Sequence, residues 1–289
     1  MDLSPRSVPA LVALILVIAA CASHPAQHPQ PAQHLRDSDA DTTLRPLRSA
    51  PRYAAGRGAY EVTSITILTH TVAGAPRTDT LTTRSIVHDD ARWNARGLEV
   101  TGSVVSRVLS ASGGVDSMAP VILDPVPFTA TVDTASSRVE FVSDSAAATV
   151  QSCPTPNTEA LAAARDLLTA IPRSLAPGAT WTDSLVATAC RGRFPVRSLA
   201  VRRFQVALER APSNPEGVVI VVAHTTEARV AGADLTGTRH AAARQQYDAL
   251  TGQLLSGRVT SDLDLTVASP DDARHVHEHA ETTVRPIAD

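Results

Sequence analysis

Long segments in which apolar and polar residues alternate constrain the fold of this chain more than any other feature. In the segment 259–267, Val259, Leu263 and Leu265 share one parity, while charged and hydroxyl side chains occupy the other. A period of two is typical of a β-strand with one buried face. The segment 98–108 repeats this pattern. The continuous apolar run at 218–223 is typical of a strand buried on both faces.

Further strand-like segments follow one another along the chain. They lie at 60–71, 80–88, 128–132, 138–143, 181–189, 196–210, 238–248 and 275–284. Several exceed the usual strand length of about five or six residues. Short turns such as 250–253 join successive segments. Long strands with short turns predict an antiparallel meander.

One segment has a helical pattern instead. Thr155 can act as the N-cap, Pro156 suits the first helical position, and Pro172 ends the segment. The apolar residues recur on one face, at Leu161, Ala164, Leu168 and Ile171. The sequence therefore predicts a mainly β fold, in which one amphipathic helix packs on a long, curved, half-barrel-like antiparallel sheet.

The amino-terminal segment indicates where the protein is located rather than how it folds. An apolar run from Leu11 to Ala20 ends at Ile18-Ala19-Ala20-Cys21. The run is shorter than the roughly 20 residues that a transmembrane helix needs. It resembles a bacterial lipoprotein signal peptide, although that family usually has Leu at the first position of the box. The resemblance implies that residues 1–20 are removed and that Cys21 carries the lipid. The protein would then be anchored in the bacterial cell envelope, facing the periplasm or the exterior.

The segment that follows Cys21 is poor in apolar residues. Residues 21–52 are rich in Pro, His, Gln, Asp and Arg. Such a composition cannot offset the entropy lost on ordering, so we expect a disordered, lipid-anchored tether. Residues 53–289 then form a single β-rich domain.

Two cysteines remain besides Cys21. An exported chain meets an oxidising environment, so we expect Cys153 and Cys190 to form a disulfide. The bond would close a loop of about 38 residues, for which the chain-entropy model gives roughly 4 kcal/mol. Metal binding by the two thiols is the alternative.

A histidine row near the carboxyl terminus is a candidate metal site. On a strand, His275, His277 and His279 point to the same face, together with Glu281. Imidazoles at this spacing can share a zinc or copper ion if a neighbouring strand supplies a carboxylate. The alternative is the ordinary polar face of an exposed strand.

Composition and missing motifs exclude several function classes. A net charge of -3 gives no reason to expect a nucleic-acid partner. All 26 basic residues are arginine, which excludes a P-loop lysine or a Schiff-base lysine. Glycine-rich nucleotide motifs, nucleophile elbows and zinc-protease motifs are also missing. We therefore predict a non-enzymatic protein without a cofactor, and a hydrolase with a scattered active site is the weakest alternative.

The predicted body resembles the envelope lipoprotein folds of LolA, LolB and LppX in architecture. This resemblance covers about residues 55–289 and implies a hydrophobic half-barrel that binds acyl chains. The resulting prediction is a lipid-anchored, non-enzymatic envelope protein that binds an apolar ligand or an envelope partner. The alternative is a periplasmic metal-binding protein that uses the histidine row.

Overall fold

The structure, a computed structural model, contains one large sheet and one helix. It describes residues 53–72, 75–112, 124–133, 138–142, 155–169, 174–191, 194–211, 214–268 and 274–288. The strands are β1 (Gly56–Val72), β2 (Ala75–Asn94), β3 (Gly97–Ala111), β4 (Val126–Asp133), β5 (Arg138–Phe141), β6 (Thr180–Arg191), β7 (Phe194–Ala211), β8 (Asn214–Ala231), β9 (Leu235–Asp248), β10 (Leu254–Val267) and β11 (Arg274–Pro286), and the helix is α1 (Thr155–Leu167).

All neighbouring strands of this sheet are antiparallel. Their order is β5-β4-β3-β2-β1-β11-β10-β9-β8-β7-β6. The first and last strands of the chain, β1 and β11, therefore pair with each other in the middle of the sheet. In this pairing Tyr60 lies opposite Pro286 and His70 lies opposite Val276. The sheet is curved and nearly closed on itself, which confirms the predicted fold class.

The antiparallel sheet is built from two meanders. Strands β1 to β5 and strands β6 to β11 each run as a meander, but β5 and β6 lie at opposite edges of the sheet. The connection between them contains α1. A long connection that carries a helix can cross the sheet to its far edge, whereas a short turn holds consecutive strands side by side. The predicted meander is thus divided into two parts where the predicted helix interrupts it.

Alternation along each strand separates an inner face from an outer face. In β4, Val126, Phe128, Ala130 and Val132 are buried, while the residues between them are more exposed. In β10, Val259 and Leu263 face inward, as their parity predicted. Both faces of β8 are buried at its centre, where Val219 to Val222 are each 2% exposed or less. The apolar run predicted this double burial.

The helix lies between the two ends of the curved sheet. It contacts β2, β3 and β4 on one side and β6 on the other. Leu161, Ala164 and Leu168 are buried, as the helical spacing predicted. The helix ends at Leu167, and a turn follows. The helix therefore packs against strands near both edges of the sheet.

The hydrophobic core is concentrated on the half of the inner face that α1 covers. A second, smaller apolar cluster of Val196, Val230 and Leu263 lies apart from it on the inner face. No helix in the described part of the chain is long and apolar enough to cross a membrane.

Candidate functional site

A crevice at one end of the sheet brings together all three tyrosines of the chain. Tyr53 precedes β1, Tyr60 lies on β1 and Tyr247 lies near the end of β9. Leu98, Leu254 and the carboxyl-terminal end of α1 complete much of the wall. We call this site the tyrosine crevice. Its cavity volume is about 50 Å³.

A chain of hydrogen bonds connects Tyr53, through Tyr247 and Gln245, to the carboxyl-terminal end of α1. The Tyr247 hydroxyl donates to Gln245 Oε1 at 2.6 Å, so the Tyr53 hydroxyl must donate the bond that it makes with the Tyr247 oxygen. Gln245 Nε2 in turn donates to the carbonyl of Leu167 at 3.2 Å. Burial raises the pKa of both Tyr53 and Tyr247. The two hydroxyls are therefore neutral and engaged with protein atoms.

Asp89 on β2 is the only charged residue among the described lining residues of the crevice. Burial raises the pKa of its carboxyl group to about 6, although the backbone N–H of Gly58 donates a hydrogen bond to it. Burial, followed by the nearby Asp89 charge, raises the pKa of Tyr60 to about 12. Asp89 can therefore change its protonation state near neutral pH, and Tyr60 stays protonated there.

Gly58 allows these groups to approach the backbone of β1. A Cβ atom at this position would lie 2.5 Å from Asp89 Oδ1 and 2.6 Å from a ring carbon of Tyr60. Such distances are far below van der Waals contact, so a larger residue would displace the carboxylate or the phenol ring. This arrangement of Asp89 and Tyr60 therefore requires glycine at position 58.

The crevice is much smaller than an acyl-chain cavity. Pockets for drug-sized ligands have volumes of roughly 300–1,000 Å³. Between α1 and the inner face of the sheet, side chains such as Val87, Val132 and Ala164 are not exposed. The sequence left open whether this interior is a cavity or a filled core, and these side chains are buried there.

The predicted histidine row lies on the outer face of β11, and its orientation is as expected. His277 Nδ1 lies 2.8 Å from Asp264 Oδ1, and His279 Nδ1 lies 2.7 Å from Asp262 Oδ1. His275 Nδ1 lies 3.1 Å from the hydroxyl of Thr266. The neighbouring strand β10 thus supplies carboxylates. Nevertheless, among the described residues no three His, Cys, Asp or Glu side chains come together as a metal-binding group.

The predicted cysteine sites fall largely outside the described residues. Cys21 and Cys153 both lie outside the described residues. Cys190 is on β6, paired with Pro195 of β7, but its side chain is not among those described. Lipidation and the disulfide therefore remain predictions.

The inner face also carries a buried polar cluster that the sequence analysis did not identify. Arg202 donates to both carboxylate oxygens of Asp183, at 2.9 and 2.7 Å. These side chains are only 8% and 10% exposed. His224 packs against Phe204, with ring centroids 5.0 Å apart. Burial, together with the charges of Arg202 and Arg239, lowers the pKa of His224 to about 3, so this imidazole is neutral at physiological pH.

Residue parity is the signal that could have found these polar residues. Arg202 shares the parity of Phe204 and Val206, which are buried on the inner face. Asp89 likewise shares the parity of Val87 and Ala91. A polar residue at an inward position of a strand must find a partner or remain desolvated, and such positions are candidates for function.

Comparison with known proteins does not place the chain in a family. No protein-family model matches the sequence, and no curated protein matches it.

Proposed function

We propose that the protein is a lipid-anchored component of the bacterial cell envelope that binds a small, largely apolar ligand without catalysing a reaction. The observation that carries the ligand-binding part is the tyrosine crevice. Its described lining combines three aromatic rings and several aliphatic side chains with one carboxyl group. Binding sites for small molecules typically combine an apolar wall with a few polar groups.

The lining favours binding over catalysis. Among its described residues there is no serine, cysteine or histidine to act as a nucleophile or as a paired base. The two tyrosine hydroxyls that lie closest together hydrogen-bond to each other and to Gln245. We therefore propose binding rather than catalysis.

The position of the crevice fits the proposed anchoring at Cys21. The tether of residues 21–52 would join the body at Tyr53, which is itself part of the crevice wall. The indole Nε1 of Trp93 donates to the carbonyl of Tyr53 at 3.2 Å and holds this point of entry. A disordered chain of about 30 residues has an r.m.s. reach on the order of 30 Å. The crevice would thus lie at the end of the body that is joined to the membrane.

Acylation is tested by labelling cells with a radioactive fatty acid. We expect the wild-type chain to carry the label and to fractionate with membranes, and Cys21→Ser to lose both properties. Cys190→Ser is the matched control and should keep the label. Continued labelling of Cys21→Ser would contradict the proposed anchor.

Metal binding by His275, His277 and His279 is the second candidate function. One observation favours it: Nδ1 of His277 and Nδ1 of His279 each contact a carboxylate of β10. Carboxylates orient metal-binding imidazoles in this way in many zinc sites. The lack of a converging third ligand among the described residues makes it the weaker proposal.

Calorimetric titration with zinc distinguishes the two candidates. The full chain is compared with a variant that carries His275→Ala, His277→Ala and His279→Ala, so that the histidines of the tether contribute equally to both titrations. We expect similar curves. Submicromolar binding that the variant loses would favour the metal site instead.

A further inference from the structure

Two of the three tyrosine hydroxyls in the tyrosine crevice are already engaged by protein atoms, so Tyr53 and Tyr247 contribute ring surface to it. The hydroxyls of Tyr53 and Tyr247 are held by each other and by Gln245. The two rings meet edge to face, with centroids 5.3 Å apart at an interplanar angle of 75°. Tyrosine rings carry negative charge density on their faces and therefore attract cations.

The charge in the crevice is negative. Asp89 is the only charged residue of the described lining, and no arginine of the described residues forms an ion pair with it. Asp90 and His88 flank it in sequence and have the opposite strand parity, and Asp90 is paired with Arg92. A desolvated carboxylate that lacks a cationic partner is stabilised by a cation bound beside it.

The helix adds to this potential. Leu167 and Leu168, at the carboxyl-terminal end of α1, line the crevice. The carboxyl-terminal end of a helix carries partial negative charge from its aligned peptide dipoles. Gln245 donates to two of these carbonyls, those of Asp166 and Leu167. A cation in the crevice is therefore favoured by the carboxylate, by the aromatic rings and by the helix end.

The remaining walls select the kind of cation. Leu98, Val100 and Leu254 are apolar and cannot coordinate a metal ion, which needs several oxygen or nitrogen ligands. A methylated ammonium group, in contrast, presents apolar methyl groups and spreads its charge over them. The cavity of about 50 Å³ is several times the roughly 10–15 Å³ that one water molecule needs, so it admits only a compact group of a few heavy atoms.

We propose that the tyrosine crevice binds a trimethylammonium group, such as that of choline or of a choline-containing lipid. Asp89 provides the opposing charge, and Tyr53, Tyr60 and Tyr247 provide aromatic surface. This inference rests on the proposed ligand-binding function and specifies its ligand class.

The test compares choline with its neutral carbon isostere, 3,3-dimethylbutan-1-ol, by calorimetric titration of the full chain in a maltoside detergent. We expect choline to bind about tenfold more tightly than the isostere at pH 7.5, because only choline gains from the carboxylate and the rings. Asp89→Asn should weaken choline binding by about tenfold and leave the isostere unchanged. Asp90→Asn is the matched control and should leave both affinities unchanged.

The outcomes separate this inference from the function on which it rests. Equal binding of choline and the isostere would overturn the ammonium assignment but keep the crevice as a binding site for apolar groups. Binding of neither would overturn both. Unaltered choline binding by a folded Asp89→Asn variant would also overturn the assignment.

A further arm distinguishes the two sources of the ligand. Dihexanoylphosphatidylcholine is titrated below its critical micelle concentration. Tighter binding than that of choline would support a lipid headgroup as the ligand, and weaker binding would support the free ion. Tyr60→Phe retains the ring and should keep choline binding within about threefold, whereas Tyr60→Leu should lose it.

Discussion

Asp89 should make the stability of the protein depend on pH. Its folded-state pKa of about 6 lies above the ordinary value of 3.8, so the folded state binds the proton more tightly than the unfolded state does. The free energy of unfolding should therefore fall by about 2–3 kcal/mol as the pH rises from about 4 to about 6. Asp89→Asn should remove this loss.

The measurement is urea unfolding of the wild type and Asp89→Asn at several pH values. Asp90→Asn is the control, because Arg92 holds the pKa of Asp90 below its usual value. Its effect on the pH dependence should have the opposite sign. If Asp89→Asn had the same pH profile as the wild type, the assigned desolvation of Asp89 would be wrong.

His224 should give the free energy of unfolding the opposite dependence on pH. Its folded-state pKa of about 3 lies below the ordinary 6.5, so the unfolded state binds the proton more tightly. Acidification below about pH 6.5 should therefore destabilise the protein by up to about 1.4 kcal/mol per pH unit. His224→Leu should abolish this slope in urea unfolding, whereas the exposed His88→Leu should keep it. An unchanged slope in His224→Leu would show that the imidazole accepts a proton in the folded state.

At the scale of elements, the β2–β3 hairpin depends on Gly97. Its φ of 133° lies in a region that other residues rarely adopt, and a Cβ there would lie 2.4 Å from the carbonyl oxygen of Val132. Gly97→Ala should therefore cost about 2–4 kcal/mol, through strain and through displacement of β4.

Gly178 provides the matched control for this substitution. Its φ is 77°, but a Cβ there would meet nothing within 4 Å. Gly178→Ala should cost only about 1–2 kcal/mol, from the backbone conformation alone. Equal losses of stability in urea unfolding would show that the contact with β4 contributes nothing.

The helix α1 stabilises the incompletely closed sheet. β5 and β6 are the two edges, and their unpaired backbone groups could pair with other chains. Because α1 packs against β2 to β4 and against β6, it connects the two ends of the sheet. The helix thus connects the two ends of the sheet without strand pairing between them.

At the scale of the whole molecule, a disulfide between Cys153 and Cys190 would reinforce this connection. Cys153 precedes α1 in sequence, and Cys190 lies on the edge strand β6. We expect the bond in protein recovered from the envelope, and its loss in Cys190→Ser should cost about 2–5 kcal/mol. Mass spectrometry of a non-reduced digest tests for the linked peptides. Alkylation of both thiols without prior reduction would contradict the bond.

The order of the strands also explains why the tyrosine crevice was not predicted from the sequence. Tyr53, Tyr60 and Tyr247 look like scattered aromatic residues, and Asp89 looks like half of a solvated Asp-Asp pair. They meet because β1 lies between β2 and β11, and because the β9–β10 turn returns to the end of the sheet where β1 begins. The histidine row, in contrast, was evident because its members are neighbours in sequence.

The amino-acid sequence alone predicts which segments form strands and, where apolar and polar residues alternate clearly, which side faces inward. Each of the eleven predicted segments overlaps a strand of the structure, and Val259, Leu263 and Val276 face inward as their parity required. Burial alternates from one residue to the next along a strand, so this information is local. Strand order is not local, because antiparallel pairing satisfies the backbone equally well with many partners. The pairing of β1 with β11, the packing of α1 near both edges and the position of Asp89 among the tyrosines therefore depend on contacts between residues far apart in sequence.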